Sequence, residues 1–170
     1  MNIFGQTNVL TSAQSLFGDD CLPTDVSLLE DDQLRDLLVQ VALEWEERFA
    51  VAPRITADIA EYDAAKLVGT SLRIGKGRIR TDTAVMRGMD FLNNNQRYQV
   101  KSNRPSGKPG SPVTLVGKAT NFDWDKLVWI LYNHKYGIEE AWQFTQSQYR
   151  ELFEQKNRLS PQDMRKGLRL

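Results

Sequence analysis

The stretch Ala84-Val85-Met86-Arg87-Gly88-Met89-Asp90-Phe91-Leu92-Asn93-Asn94-Asn95-Gln96-Arg97-Tyr98-Gln99-Val100-Lys101-Ser102-Asn103-Arg104 decides how this chain folds. Asp90 follows a glycine and opens a short apolar step. Tyr98 and Val100 then alternate with Gln99 and Lys101, the period of a strand. Asn93, Asn94 and Asn95 supply turn chemistry between the two runs and predict a hairpin through Leu92 to Gln96. Period two places Gln99 and Lys101 on one face, and closing the hairpin brings that face beside Asp90. A carboxylate, an amide carbonyl oxygen and an ammonium then converge. The oxygens suit a hard divalent cation, and the ammonium is a charge able to hold or activate water near a phosphate.

Immediately upstream, Asp82 to Met86 reads equally as the edge of a strand leading to Asp90 or as a brief helix start. Ser71 to Ile74 reads as a first strand. Gly75-Lys76-Gly77-Arg78-Ile79-Arg80 is a basic loop and not a phosphate loop, because no Gly-Lys-Ser/Thr follows it. Against DNA, Arg78 and Arg80 would meet phosphate oxygens with little regard to sequence. Thr56 to Leu67 is expected to be a helix stopped by Gly69, with Ala60, Ala64 and Ala65 allowing close approach to a sheet. Glu61 on that helix reads either as an acid reaching the Asp90 region from below or as an ordinary exposed helix acid. An earlier helix is expected from near Ser27, where Ser27 and Glu30 have capping-box spacing, with Leu34, Leu37, Leu38, Val41 and Trp45 as its buried stripe. Residues 1–24 read as an N-terminal arm and 25–170 as one domain.

Downstream, Pro105 to Pro112 holds three prolines and two glycines in eight residues and must be a loop. Lys101, Arg104, Lys108 and Lys118 surround it, placing it to straddle a nucleic-acid backbone. Ser102, Asn103 and Arg104 follow the lysine closely enough to share any substrate. Leu127 to Tyr132 is nearly unbroken apolar sequence, the mark of a strand buried on both faces. Ile138 to Phe144 reads as its neighbour, joined through a turn at His134. Thr145 to Phe153 reads as a helix, and Ser160-Pro161 as the start of a short closing one.

The 170 residues fit a soluble domain with a proper core, and the 22 basic and 22 acidic residues cancel. Charge is nonetheless uneven. Between Arg73 and Lys118 ten cations, Arg87 among them, face only Asp82 and Asp90, whereas Asp25 to Glu61 is acid-rich. Cys21 is the sole cysteine, so an internal disulfide is excluded and a reducing compartment favoured. His134 is the sole histidine, which disfavours multi-imidazole zinc sites and Ser-His-Asp hydrolysis. No apolar run is long enough to cross a membrane and no secretory leader is evident, so a cytoplasmic location is expected.

Gly88-Met89-Asp90 followed by Tyr98-Gln99-Val100-Lys101-Ser102 resembles the core motif of the PD-(D/E)XK nuclease superfamily, the fold of many restriction endonucleases and repair or recombination nucleases. Ala60 to Gly69 resembles the helix preceding that motif in a subset of restriction-like proteins, whose glutamate points into the active site. Phe122 to Tyr132 resembles the strand that follows. The resemblance runs from about Thr56 to Phe144, and it is carried by the order and spacing of these motifs. It implies a restriction-endonuclease-like α/β/α core with a small mixed sheet flanked by helices, and Mg²⁺-dependent hydrolysis of DNA phosphodiesters, with Mn²⁺ as a substitute. Asp90 would ligate the metal and Lys101 would position or polarise water. The Gln99 side-chain oxygen would stand where Glu or Asp is usual, and Glu61 would compensate for the missing charge. Asp63 and Asp82 are second-choice acids. Arg78, Arg80, Arg87, Ser102, Asn103, Arg104, Lys108 and Lys118 would contact double-stranded DNA, and cutting both strands implies a homodimer. The amide at Gln99 and the balanced charge also suit a rival reading, a DNA-binding or structural protein that keeps the fold without the metal chemistry.

Overall fold

The computed structural model describes residues 25–72, 88–105 and 110–170. The chain divides into two compact units, Met1–Leu38 and Val39–Leu170. In the first, a 3-10 turn at Val26–Leu28 leads into helix α1, Asp31–Phe49, which continues into the second unit. The second unit adds helix α2 (Thr56–Leu67), strands β1 (Phe91–Asn93), β2 (Gln96–Asn103), β3 (Lys126–Tyr132) and β4 (Ile138–Thr145), helices α3 (Gln146–Phe153) and α4 (Pro161–Met164), and strand β5 (Leu168–Arg169).

The start of α1 differs from the Ser27 cap expected. Asp25 accepts the Ser27 N–H at 2.9 Å and closes the 3-10 turn, while the Gln33 side chain reaches back to the Glu30 N–H at 3.0 Å. Glutamine three residues into a helix satisfies one donor that the first turn leaves free, so the helix starts at Asp31. The buried stripe also differs. Leu34, Leu38, Val41 and Trp45 are between 41% and 57% exposed, whereas Val39 and Ala42 are buried. Val39, Leu43 and Glu46 have the same three- and four-residue spacing on another face. Glu46 forms an ion pair with Arg104 at 2.7 Å, and Val39 and Leu43 join the core. Two faces of one period compete in α1, and long-range partners select the less apolar one.

Helix α2 is as expected, and its end has a physical cause. Gly69 takes φ +77°, with Gly69 N–H bonded to Lys66 O and Thr70 N–H to Ala65 O. That left-handed closure is nearly free for glycine. The β1–β2 hairpin turns through Asn94 and Asn95 at φ 51° and 61°, the two left-handed residues of a twist-matched two-residue turn. Of the run leading to the hairpin, Asp82 to Met86 lie outside the described residues, Gly88 to Asp90 are not strand, and pairing starts at Phe91. Of the strand proposed at 71–74, Ser71 and Leu72 are irregular and residues 73 and 74 lie outside the described residues.

The five strands run β1-β2-β3-β4-β5, with β2 and β3 parallel and the other neighbours antiparallel. This is a mixed α/β fold with a small mixed sheet flanked by helices. The central place of β3 explains its unbroken apolar sequence. Val128, Ile130 and Tyr132 join Tyr98, Val100 and the α2 residues Ile59, Ala60 and Ala64 in one cluster. Leu127, Trp129 and Leu131 join Trp124, Phe144, Tyr149 and Phe153 in another. Alternate residues of one strand thus feed cores on opposite faces. Thr145 caps α3 with a full capping box, and at the start of α4 the Asp163 carboxylate accepts both the Ser160 N–H and hydroxyl, each at 3.0 Å. No helix among the described residues is long and apolar enough to cross a membrane.

Candidate functional site

Asp90 stands one residue before β1, where β2 runs on toward Asn103 after its hairpin partner has ended. The free edge of β2 at that level is closed by Asp90 itself. Its N–H donates to Tyr98 O at 2.7 Å, and its carboxylate Oδ2 accepts the Val100 N–H at 2.5 Å. The Gln99 Nε2 donates to the same oxygen at 2.5 Å. A carboxylate that accepts two hydrogen bonds from one strand, on a residue whose own N–H bonds the same strand, has little freedom to turn away.

Gln99 is buried and Lys101 half-buried, two residues apart on one strand. The Lys101 charge acts on Asp90. Burial raises the Asp90 carboxyl above its ordinary value, and the Val100 N–H, the Lys101 charge and the Gln99 amide each oppose that rise. From the other direction α2 packs against β1 and β2 and brings Glu61 within electrostatic reach. The Glu61 carboxyl is raised to about 7, first by burial, then by the charges of Asp90 and Asp58. Asp90 and Gln99 are thus bonded at one edge of the sheet with Lys101 two residues along β2, and Glu61 on α2 feels the Asp90 charge. Glu61 is half-buried on α2, where the Asp90 charge acts on it.

The oxygen donors available for a cation here are the Asp90 carboxylate and the Gln99 Oε1, with the Glu61 carboxylate on α2 as a further candidate. Gln99 now presents nitrogen to Asp90, so ligation would require its amide to turn over. Among the described residues no group of three or more His, Cys, Asp or Glu side chains is arranged to hold a metal ion. Burial raises both carboxyls and the Asp90 charge raises Glu61 further, a repulsion that a hard cation held by the two would relieve. Asp63 is elsewhere, buried and accepting the Tyr132 hydroxyl at 2.7 Å, and Asp82 lies outside the described residues.

The proposed DNA contacts fall into two groups. Arg78, Arg80, Arg87 and Lys108 lie outside the described residues. Ser102, Asn103, Arg104 and Lys118 have partners within the chain. Ser102 Oγ donates to Thr56 O at 3.4 Å, and Asn103 links Leu115 O to the Trp129 indole N–H. Arg104 gives two bonds to His134 O, pairs with Glu46 and lies over the Tyr136 ring. Lys118 Nζ donates to Glu154 O and Lys156 O at the end of α3. Two contributors had no usable sequence signal. The Val100 N–H is a backbone group, and Asp123 is set against Gly88 only by the tertiary fold.

No protein-family model matches the chain, and no curated protein matches it.

Proposed function

We propose that the chain is a divalent-metal-dependent endonuclease that hydrolyses DNA phosphodiester bonds on a restriction-endonuclease-like core, acting on double-stranded DNA as a homodimer. The observation that carries this reading is the Gln99–Asp90 bond at the edge of β2 with Lys101 two residues on, supported by the Glu61 carboxyl, raised to about 7 by burial and by the Asp90 and Asp58 charges. Asp90 and Glu61 would hold the cation, and the Gln99 side-chain oxygen would add to them if its amide turned over. Bound Mg²⁺ or Mn²⁺ supplies polarisation of the scissile phosphate and a lowered pKa for water. Lys101, anchored on β2, offsets negative charge on the phosphate oxygens and orients the attacking water. Arg78, Arg80, Arg87 and Lys108 are the proposed phosphate contacts, because Ser102, Asn103, Arg104 and Lys118 already serve the chain's own structure.

The test is nicking of supercoiled plasmid against metal concentration. Nicking should require Mg²⁺ or Mn²⁺ and fall by about 100-fold or more in Asp90→Ala and Lys101→Ala, the range seen when one transition-state contact is removed. Activity that survives Asp90→Ala would refute the assignment. A second reading, a DNA-binding protein without hydrolysis, is favoured by the Gln99 amide donating to Asp90, because that donor supplies positive potential a cation would otherwise provide. Salt-sensitive DNA retention with no metal-dependent nicking in the unmodified protein would select it.

A further inference from the structure

Gly88 is held where no other residue fits, and what blocks it is part of a rigid segment. Its φ is +96°, and a Cβ built there would lie 2.8 Å from Asp123 Cβ, with Asp123 Oδ2 at 3.1 Å. Swinging the Asp123 carboxylate aside would clear the oxygen but not the Cβ, which is fixed to the backbone and moves with no rotamer. The Asp123 backbone is itself pinned on both sides. Phe122 O accepts the Gln146 amide at 2.7 Å, and the fully buried Trp124 donates its indole N–H to Asn121 O. Asp125 N–H donates to Arg97 O at 2.8 Å, and its carboxylate takes the Arg97 N–H at 2.8 Å together with the Arg97 guanidinium. The segment before β3 is thereby bolted to the first residues of β2.

Gly88 is also two residues ahead of Asp90, with the buried Met89 between them. We infer that Gly88, seated against Asp123, is a positioning residue: the contact sets the path of the Gly88-Met89-Asp90 turn and so delivers the Asp90 carboxylate onto the Val100 N–H. A side chain at 88 cannot be absorbed by Asp123, so the turn moves instead, and Asp90 with it. This concerns the placement of Asp90 and holds whether the site hydrolyses DNA or only binds it.

The Val100 N–H reports directly on that placement, because its acceptor is Asp90 Oδ2. Native-state amide exchange should show Val100 in Gly88→Ala exchanging at least about tenfold faster relative to Val128 and Ile130 in β3, the signature of a local loss of protection. Gly88→Ala combined with Asp123→Gly should restore Val100 protection, since the blocking Cβ is gone. Gly88→Ala with Asp123→Ala should not, since that Cβ remains. Backbone strain at 88 is common to both double variants and cancels in the comparison. Unchanged Val100 exchange in the single variant overturns the inference. Equal rescue by glycine and alanine at 123 also overturns it, as does parallel loss of protection across β3. Plasmid nicking measured alongside tests the nuclease proposal separately: absent nicking in every variant defeats that proposal and leaves the exchange result intact.

Discussion

Glu61 and Asp90 are two acids whose ionisation the fold resists. The Glu61 carboxyl stands at about 7 against an ordinary 4.5, because burial and the neighbouring Asp90 and Asp58 charges oppose its ionisation. The folded chain thus holds a proton that the unfolded chain releases between those values. Stability from this group is complete below the unfolded value and is lost as pH rises toward and through about 7. Asp90, also raised, contributes in the same direction. Glu61→Gln should stabilise the protein by about 1 kcal/mol at pH ~8 and change little at pH ~4, the full linkage being discounted because the side chain is only half-buried. Urea denaturation at the two pH values checks this, and an equal effect at both would show that Glu61 is not ionising against a resisting environment.

At the scale of elements, Arg104 joins three pieces: the end of β2, the β3–β4 turn through His134 O, and α1 through Glu46. Its side chain is only 6% exposed, so removing it strands a carboxylate and a carbonyl in a poorly solvated place. Arg104→Ala should cost about 3 kcal/mol in chemical denaturation, near the lower bound for breaking a buried pair because Glu46 keeps some solvent. Arg104→Lys should recover little of it, since an ammonium cannot span both acceptors or lie flat on Tyr136. Gly69 is a different kind of element boundary. Nothing lies within 4 Å of a Cβ built there, so Gly69→Ala isolates the backbone preference at φ +77° and should cost about 1 kcal/mol. A larger loss would mean that the α2 terminus has contacts beyond its closing hydrogen bonds.

For the whole molecule the decisive property is how charge is arranged over a chain of zero net charge. A cation that binds the folded edge at Asp90 and Glu61, and not the unfolded chain, must raise stability, by about 2.7 kcal/mol at a hundredfold excess over its Kd. Thermal unfolding should therefore shift upward with Mg²⁺ or Mn²⁺, and Asp90→Asn should abolish the shift. A shift retained in that variant would place the cation elsewhere. If Arg78, Arg80, Arg87 and Lys108 touch phosphates, each alanine replacement should reduce the salt slope of DNA binding by about 0.9.

The sequence by itself determined the local structures of this protein. Asparagines that accept left-handed backbone make the β1–β2 turn, Gly69 closes α2, unbroken apolar residues make β3 a central strand, and a two-residue period puts Gln99 and Lys101 side by side. Each depends on neighbours within a few residues, where backbone sterics and periodicity act directly. Only the tertiary structure decided which face of α1 is buried, because Leu34, Leu38, Val41 and Trp45 are as regular as Val39, Leu43 and Glu46, and a distant arginine broke the tie. It alone tied Asn103, Arg104 and Lys118 to carbonyls far along the chain, and it alone half-buried Glu61 where the Asp90 charge acts on it. Burial and long-range charge exist only once separate segments have closed on one another, and no local pattern encodes them.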